Sequence, residues 1–221
     1  MNLIEDKGYT YEDYALWDDD IRYELIDGIA YAMASPSRLH QKTSGKLFTQ
    51  FSNFLKGKSC EVYHAPFDVR LNFNTFDNTV LQPDLLVVCD ESKLNDKNVV
   101  GAPDMVIEIL SSSNTRHDTV IKFRLYQMAG VREYWIVDPA RKIVEVYILK
   151  NLKYVRRIYS HDDIIPVHIL KGCHINLADV FYDIESPDNI EPAIKHKIIE
   201  TLKETGASND QIEKVIKKLE N

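Results

Sequence analysis

The chain has 221 residues, 44% hydrophobic, 10% aromatic and 28% charged, with a formal net charge of -7. This length fits one large domain or a domain with a small appendage, and only eight Gly and eight Pro exclude a linker-rich or low-complexity chain. Residues 1–28 hold nine acids and two bases, which accounts for the whole net charge. Residues 38–58 and 141–157 are locally basic, so nucleic-acid binding stays open.

In chain order, residues 9–20 read as a short acidic helix or loop. YELIDG and IAYAMA, within residues 22–34, read as a hairpin turning at Asp27-Gly28. Residues 39–55 carry Leu47, Phe51, Phe54 and Leu55 at helical spacing, with Gly57 as a stop. Arg38, Lys42 and Lys46 are four apart and share one face of that helix. Strands are expected over 60–71, 80–89 and 105–110, then a helix over 116–129 capped by Asn114 or Thr115 and closed by Gly130. EYWIVD is a further buried strand, and the step through 105–137 predicts a βαβ crossover with parallel strands. KIVEVYILK and KYVRRIYS form a meander joined near Asn151, and 163–180 adds short strands or turns. Residues 192–205 and 209–219 read as two helices broken at Gly206, with a capping-box spacing at Ser208 and Gln211. The expected fold class is α/β with a mixed sheet flanked by helices, a main domain over 1–185 and a C-terminal helical hairpin over 190–221.

No apolar run approaches the roughly 20 residues of a membrane helix, and no apolar leader segment is visible, so the cytoplasm is the expected location. Cys60, Cys89 and Cys173 are odd in number, far apart and without a CxxC pair; each is expected to fill space as a small buried hydrophobe. GxGxxG, HExxH and GxSxG are absent from the sequence, and Gly57-Lys58-Ser59 lacks the earlier glycine of a phosphate loop. His168, Cys173 and His174 are close in sequence but lack further ligands.

The chemistry-bearing pattern lies elsewhere. Asp84 follows Pro83 within an apolar strand, and Glu108 sits within DMVIEIL. A carboxylate among buried apolar residues is costly unless paired or metal-bound, so two of them in neighbouring strands suggest convergence. Asp118, Lys122 and Tyr126 are four apart on the next helix and share a face. Two carboxylates and a lysine suit metal-assisted phosphodiester hydrolysis, with the acids on Mg²⁺ or Mn²⁺ and the lysine facing the charge that develops on phosphorus. A core ion pair at Glu108 and an ordinary surface pair of Asp118 with Lys122 are the plain alternatives.

These residues carry a resemblance. Pro83-Asp84 followed by a strand containing Glu108 resembles the PD-(D/E)XK nuclease superfamily. The ordered run YELIDG, a helix led by His40, QPDLLVV, DMVIEILSSSN, D-x3-K-x3-Y and EYWIVDP resembles the Uma-two family of restriction-type endonucleases over roughly residues 9–180. The resemblance implies a restriction-endonuclease-like core and cleavage of DNA with Mg²⁺ or Mn²⁺. Asp84 and Glu108 would be metal ligands, Lys122 the electrostatic catalyst and Glu24 an auxiliary acid. The superfamily's lysine position, two after the Glu, is Leu110 here, and the family's helical lysine matches Lys122. Glu24 alternatively reads as solvated or paired with Arg22, and His40 as a capping or surface residue. Arg38, Lys42 and Lys46 are expected on phosphates, and cutting both strands fits a homodimer. The alternative reading is a catalytically inactive nucleic-acid- or protein-binding module that keeps the nuclease fold; a third is a structural metal-binding or oligomerising protein.

Overall fold

In the computed structural model, residues 8–18, 20–71, 77–111, 116–182, 199–203, 208, 211–212 and 214–215 are described, 116–119 by backbone only. Two compact units, Met1–Tyr182 and Asp183–Asn221, make up the chain. The first is a mixed α/β structure, in agreement with the expected fold class.

It opens with a one-turn helix, α1 (Tyr11–Tyr14), closed by a reciprocal capping box between Thr10 and Asp13. Strands β1 (Tyr23–Ile26) and β2 (Ile29–Ala32) form the expected hairpin. Asp27 and Gly28 both take positive φ, 50° and 79°, as a two-residue turn of matching twist requires. A Cβ on Gly28 would sit 2.9 Å from the Gly8 backbone, so the position is also closed sterically. Helix α2 (Arg38–Leu55) follows, its first turn capped by Ser37, whose side chain accepts from the His40 N–H.

The two long strands expected next are each divided. Residues 60–71 give β3 (Glu61–His64) and β4 (Asp68–Arg70); residues 80–89 give β5 (Val80–Leu81) and β6 (Leu85–Val88). Both breaks fall at a proline, Pro66 and Pro83, which has no N–H for the ladder. The strand β7 (Asn98–Val100) was not expected from the sequence. Then come β8 (Met105–Ile109), α3 (Arg116–Ala129), β9 (Glu133–Asp138), β10 (Ile143–Lys150), β11 (Lys153–Ser160), β12 (Ile164–Pro166), β13 (His174–Asn176) and α4 (Leu177–Phe181). The expected caps at Asn114 and Thr115 lie outside the described residues. Gly130, at φ 85°, ends α3 as predicted, with the Val131 N–H returning to Tyr126 O.

One sheet has the order β2-β1-β5-β4-β7, a second β11-β10-β9-β8-β6-β3, and β12 pairs with β13. The β8–β9 pair is parallel, as the crossover predicted. The chain passes between the two large sheets at both proline breaks, and this crossing positions the site. Phe51 of α2 meets Trp135 on one face of the second sheet. Tyr126 of α3 packs on Tyr134 of the other face, in a core with Ile26, Val69, Leu81, Leu86, Val106 and Ile136.

The cysteine expectation holds only for Cys173, which is buried and free. Cys60 and Cys89 form a disulfide. Their 29-residue separation hid the pairing, but continuing the antiparallel register Glu61↔Val88 by one residue places them directly opposite. In the second unit, residues 199–203 and 211–212 are helical, and Ser208 and Gln211 make both capping-box bonds. Most of the expected hairpin lies outside the described residues. No described helix is long and apolar enough to cross a membrane.

Candidate active site

Strand register brings the first two acids together. The antiparallel pairing Leu85↔Ile107 continues by one residue to set Asp84 opposite Glu108. Pro83 ends the ladder there, and the Ile109 N–H is taken by Asp84 Oδ2 at 2.7 Å. Glu108 shares the β8 face of Val106 and Leu110, the face covered by α3. From that helix Lys122 and Tyr126 reach the same oxygen: Glu108 Oε1 accepts from Lys122 Nζ at 3.2 Å and from the Tyr126 hydroxyl at 2.8 Å. Their four-residue spacing makes this double contact possible.

The third acid arrives from the other sheet. Glu24 of β1 is only 1% exposed. Its Oε1 lies 2.8 Å from Lys122 Nζ and accepts from the Gln82 N–H at 2.9 Å. Glu24 is therefore neither solvated nor paired with Arg22, although it belongs to the acidic N-terminal stretch. Lys122 is buried as well, which overturns the reading of a surface pair with Asp118; the Asp118 side chain lies outside the described residues. The core ion pair at Glu108 is present, with Lys122 as its cation, while Arg132 pairs with Asp104.

His40 also departs from expectation. It is buried on α2, with Nε2 3.1 Å from Asp84 Oδ2 and Nδ1 without a partner. The sequence showed it at a helix start but gave no sign that α2 packs across Asp84. Gln82, Tyr134 and Arg22 are also on the wall of a cleft of about 400 Å³ whose lining includes Glu24, His40, Asp84, Glu108, Leu110 and Lys122. Gln82 lay in the same QPD run as Asp84, but nothing in the sequence marked it as a neighbour of Arg22. Leu110 faces this cleft too, so the position two residues after Glu108 and the Lys122 ammonium serve one space.

The electrostatics follow from one ammonium among three carboxylates. Burial pushes the Glu108 carboxyl up to about 7; Lys122 opposes this, while Asp84 and Glu24 add to it. Burial alone would lower the Lys122 ammonium, but Glu108, Glu24 and Asp84 together outweigh it and hold it above its ordinary value, so it stays charged. Burial, then Glu108 and Glu24, keep the Tyr126 hydroxyl protonated.

Two carboxylates, Asp84 and Glu108, could contribute oxygens to a divalent cation. The bonds just described all use Asp84 Oδ2, Glu108 Oε1 and Glu24 Oε1; none uses Asp84 Oδ1 or Glu108 Oε2. Among the described residues no set of three His, Cys, Asp or Glu side chains could hold an ion by itself. A cation here would rest on two protein carboxylates and complete its shell with water or substrate oxygens, as Mg²⁺ commonly does.

The basic helix face is less uniform than expected. Arg38 is exposed, Lys42 is half-buried, and Lys46 donates to Tyr182 O and lies over the Tyr182 ring.

Comparison with known proteins gives a family and a shared fold. Residues 11–178 match the Uma2 family, described as "Putative restriction endonuclease". An uncharacterized protein of Synechocystis is 32% identical over 139 residues, which span 62% of this chain and 72% of that protein. A crystal structure from Anabaena variabilis, described as a "putative nuclease belonging to DUF820", superposes with a TM-score of 0.65 over 79% of this chain and 98% of that one; at 18% identity it shows a shared fold. With its match running from α1 to α4, the chain belongs to the Uma2 family.

Proposed function

We propose that this protein is a metal-dependent endonuclease that hydrolyses phosphodiester bonds of DNA. The observation that carries the reading is the convergence of Glu24 and Glu108 on a single lysine, with Asp84 set opposite Glu108, in one open cleft. Asp84 and Glu108 would hold Mg²⁺ or Mn²⁺ through the oxygens that their protein bonds leave unused. When bound, such an ion neutralises the carboxylates and lowers the pKa of a coordinated water.

The protein's own groups do the rest. Glu24 and Glu108 aim Lys122 Nζ into the cleft, where a fixed ammonium stabilises negative charge developing on a phosphate oxygen. Tyr126 and the Ile109 N–H fix the rotamers of Glu108 and Asp84, so the acids need no rearrangement. Arg38 and Lys42, with Lys46 held at Tyr182, supply phosphate contacts that position without reading sequence. Cutting both strands of a duplex calls for two such clefts, hence a homodimer.

The test is cleavage of supercoiled plasmid with millimolar Mg²⁺ or Mn²⁺, comparing wild type with Asp84→Ala. Nicked and linear products from wild type alone support the reading. An inert wild type in both metals leaves the catalytically inactive binding module as the better description.

A further inference from the structure

Arg22 lines the active-site cleft but takes no part in the carboxylate–lysine cluster. It lies two residues before Glu24 and therefore on the same face of the β1 chain path. The Met33 N–H donates to Arg22 O at 2.8 Å, which fixes the backbone. Its side chain is held by a neutral group: Nε and Nη2 both donate to Gln82 Oε1, at 3.0 and 2.8 Å. The other contact is Nη2 to the Met33 sulfur at 3.9 Å.

The amide is itself oriented. Gln82 Nε2 donates to Asp68 Oδ1 at 2.8 Å and approaches the Tyr14 hydroxyl at 3.1 Å, and Tyr14 donates to the same Asp68 oxygen. Asp68 thus fixes which end of the Gln82 amide faces Arg22. Arg22 shares the cleft with three carboxylates and lies close enough to Asp68 to oppose the burial that raises that carboxyl, yet it pairs with none of the four. Here Lys122 takes Glu24 and Glu108, His40 and the Ile109 N–H take Asp84, and Gln82 holds the guanidinium apart. The result is a permanently charged, planar fork with two fixed nitrogens and Nη1 unspent, the arrangement that suits a phosphate.

We infer that Arg22 binds a backbone phosphate of the nucleic-acid strand lying in the cleft, with Gln82 as its positioning residue. The inference rests on the nuclease reading for its ligand class. It adds Arg22, inside the cleft, to the helix-face contacts that position the strand, and leaves Lys122 to act on the reacting phosphate.

The test is equilibrium binding of a labelled duplex in EDTA, where metal-dependent cleavage is off, titrated over KCl. It is run on DNA and on RNA of the same sequence with wild type, Arg22→Met and Arg22→Lys. A single lost phosphate contact lowers the slope of log K against log salt by about 0.9 on duplex DNA. Arg22→Met should show that loss on at least one duplex, whereas Arg22→Lys should keep the slope and bind more weakly for want of the fork. A purely structural Arg22 would lower the melting temperature and leave the slope unchanged; that result overturns the inference, and Arg22→Lys, which can still donate to Gln82, guards against misfolding. The two readings fail separately. If wild type cuts plasmid but the Arg22→Met slope is unchanged, only the Arg22 assignment is wrong. If wild type never cuts yet the slope falls, the phosphate site stands and the nuclease reading does not.

Discussion

Replacing Lys122 by methionine keeps most of the aliphatic stem and removes the one ammonium between Glu24 and Glu108, 2.8 and 3.2 Å from their Oε1 atoms. Two buried carboxyls must then protonate or stay charged without a cation. Holding a glutamate neutral at pH 7 against an ordinary 4.5 costs about 1.36 kcal/mol per pH unit, or roughly 3.4 kcal/mol. Glu108, already raised to about 7 by burial, has little further to lose. The new cost comes to about 3 kcal/mol, at the low end of the range for breaking a buried ion pair. For a chain of this size that lowers the melting temperature by roughly 6–12 °C. A carboxyl whose folded pKa is raised contributes stability below its unfolded value and loses it as pH rises through the folded one. The gap between Lys122→Met and wild type should therefore be widest near neutrality and close as pH falls towards 4.5. Urea unfolding followed by tryptophan fluorescence at pH 7 and at pH 5 measures both. A variant within about 1 kcal/mol of wild type at pH 7, or a gap that does not shrink on acidification, would refute the charge accounting of the cluster.

Three further outcomes are expected. Millimolar Mn²⁺ should raise the melting temperature of wild type by mass action, and Asp84→Asn should melt higher than wild type in EDTA and lose the metal response; calorimetry that detects no binding would remove the metal from the proposal. Lys122→Ala should slow plasmid cleavage by about 10²–10³, roughly 3–4 kcal/mol, with DNA affinity largely kept. Leu110→Lys in that background should restore part of the rate, because Leu110 faces the same cleft; an unimpaired Lys122→Ala would end the role given to this lysine. Glu133, fully buried, accepts from Trp135 Nε1 and the Ile169 N–H, yet burial outweighs these bonds and raises its pKa. Carbon-13 NMR of its carboxyl should show a midpoint above 4.5, so that its contribution to stability falls as pH rises through that midpoint; a midpoint at or below 4.5 would contradict this.

Much of this was legible in the residues because the costs were local. A carboxylate inside LQPDLLVVC or DMVIEIL is hard to explain without a partner, and the four-residue spacing of Lys122 and Tyr126 already placed both on one side of a helix. The Asp27-Gly28 turn, both main helices and the parallel β8–β9 step follow from equally local signals. The remainder depended on pairings that sequence spacing does not encode. Cys60 and Cys89 are neighbours only because β3 and β6 are antiparallel in one particular register. Glu24 was marked only by the family resemblance, and by its residues alone read as one more acid in a charged stretch until the chain leaving β5 brought the Gln82 N–H to it; His40 looked like a cap until α2 lay across Asp84. Pro66 and Pro83 were visible, but the strands were read straight through both, at Pro83 because LQPDLLVVC is almost continuously apolar. Pro83 has the larger consequence. With no N–H it ends the ladder of one sheet at Leu81 and lets the chain enter the other at Leu85. That crossing brings the Glu24 sheet beside the Glu108 sheet, and it leaves Asp84 as the residue in the gap, its side chain taking the N–H that a continued strand would have bonded through backbone.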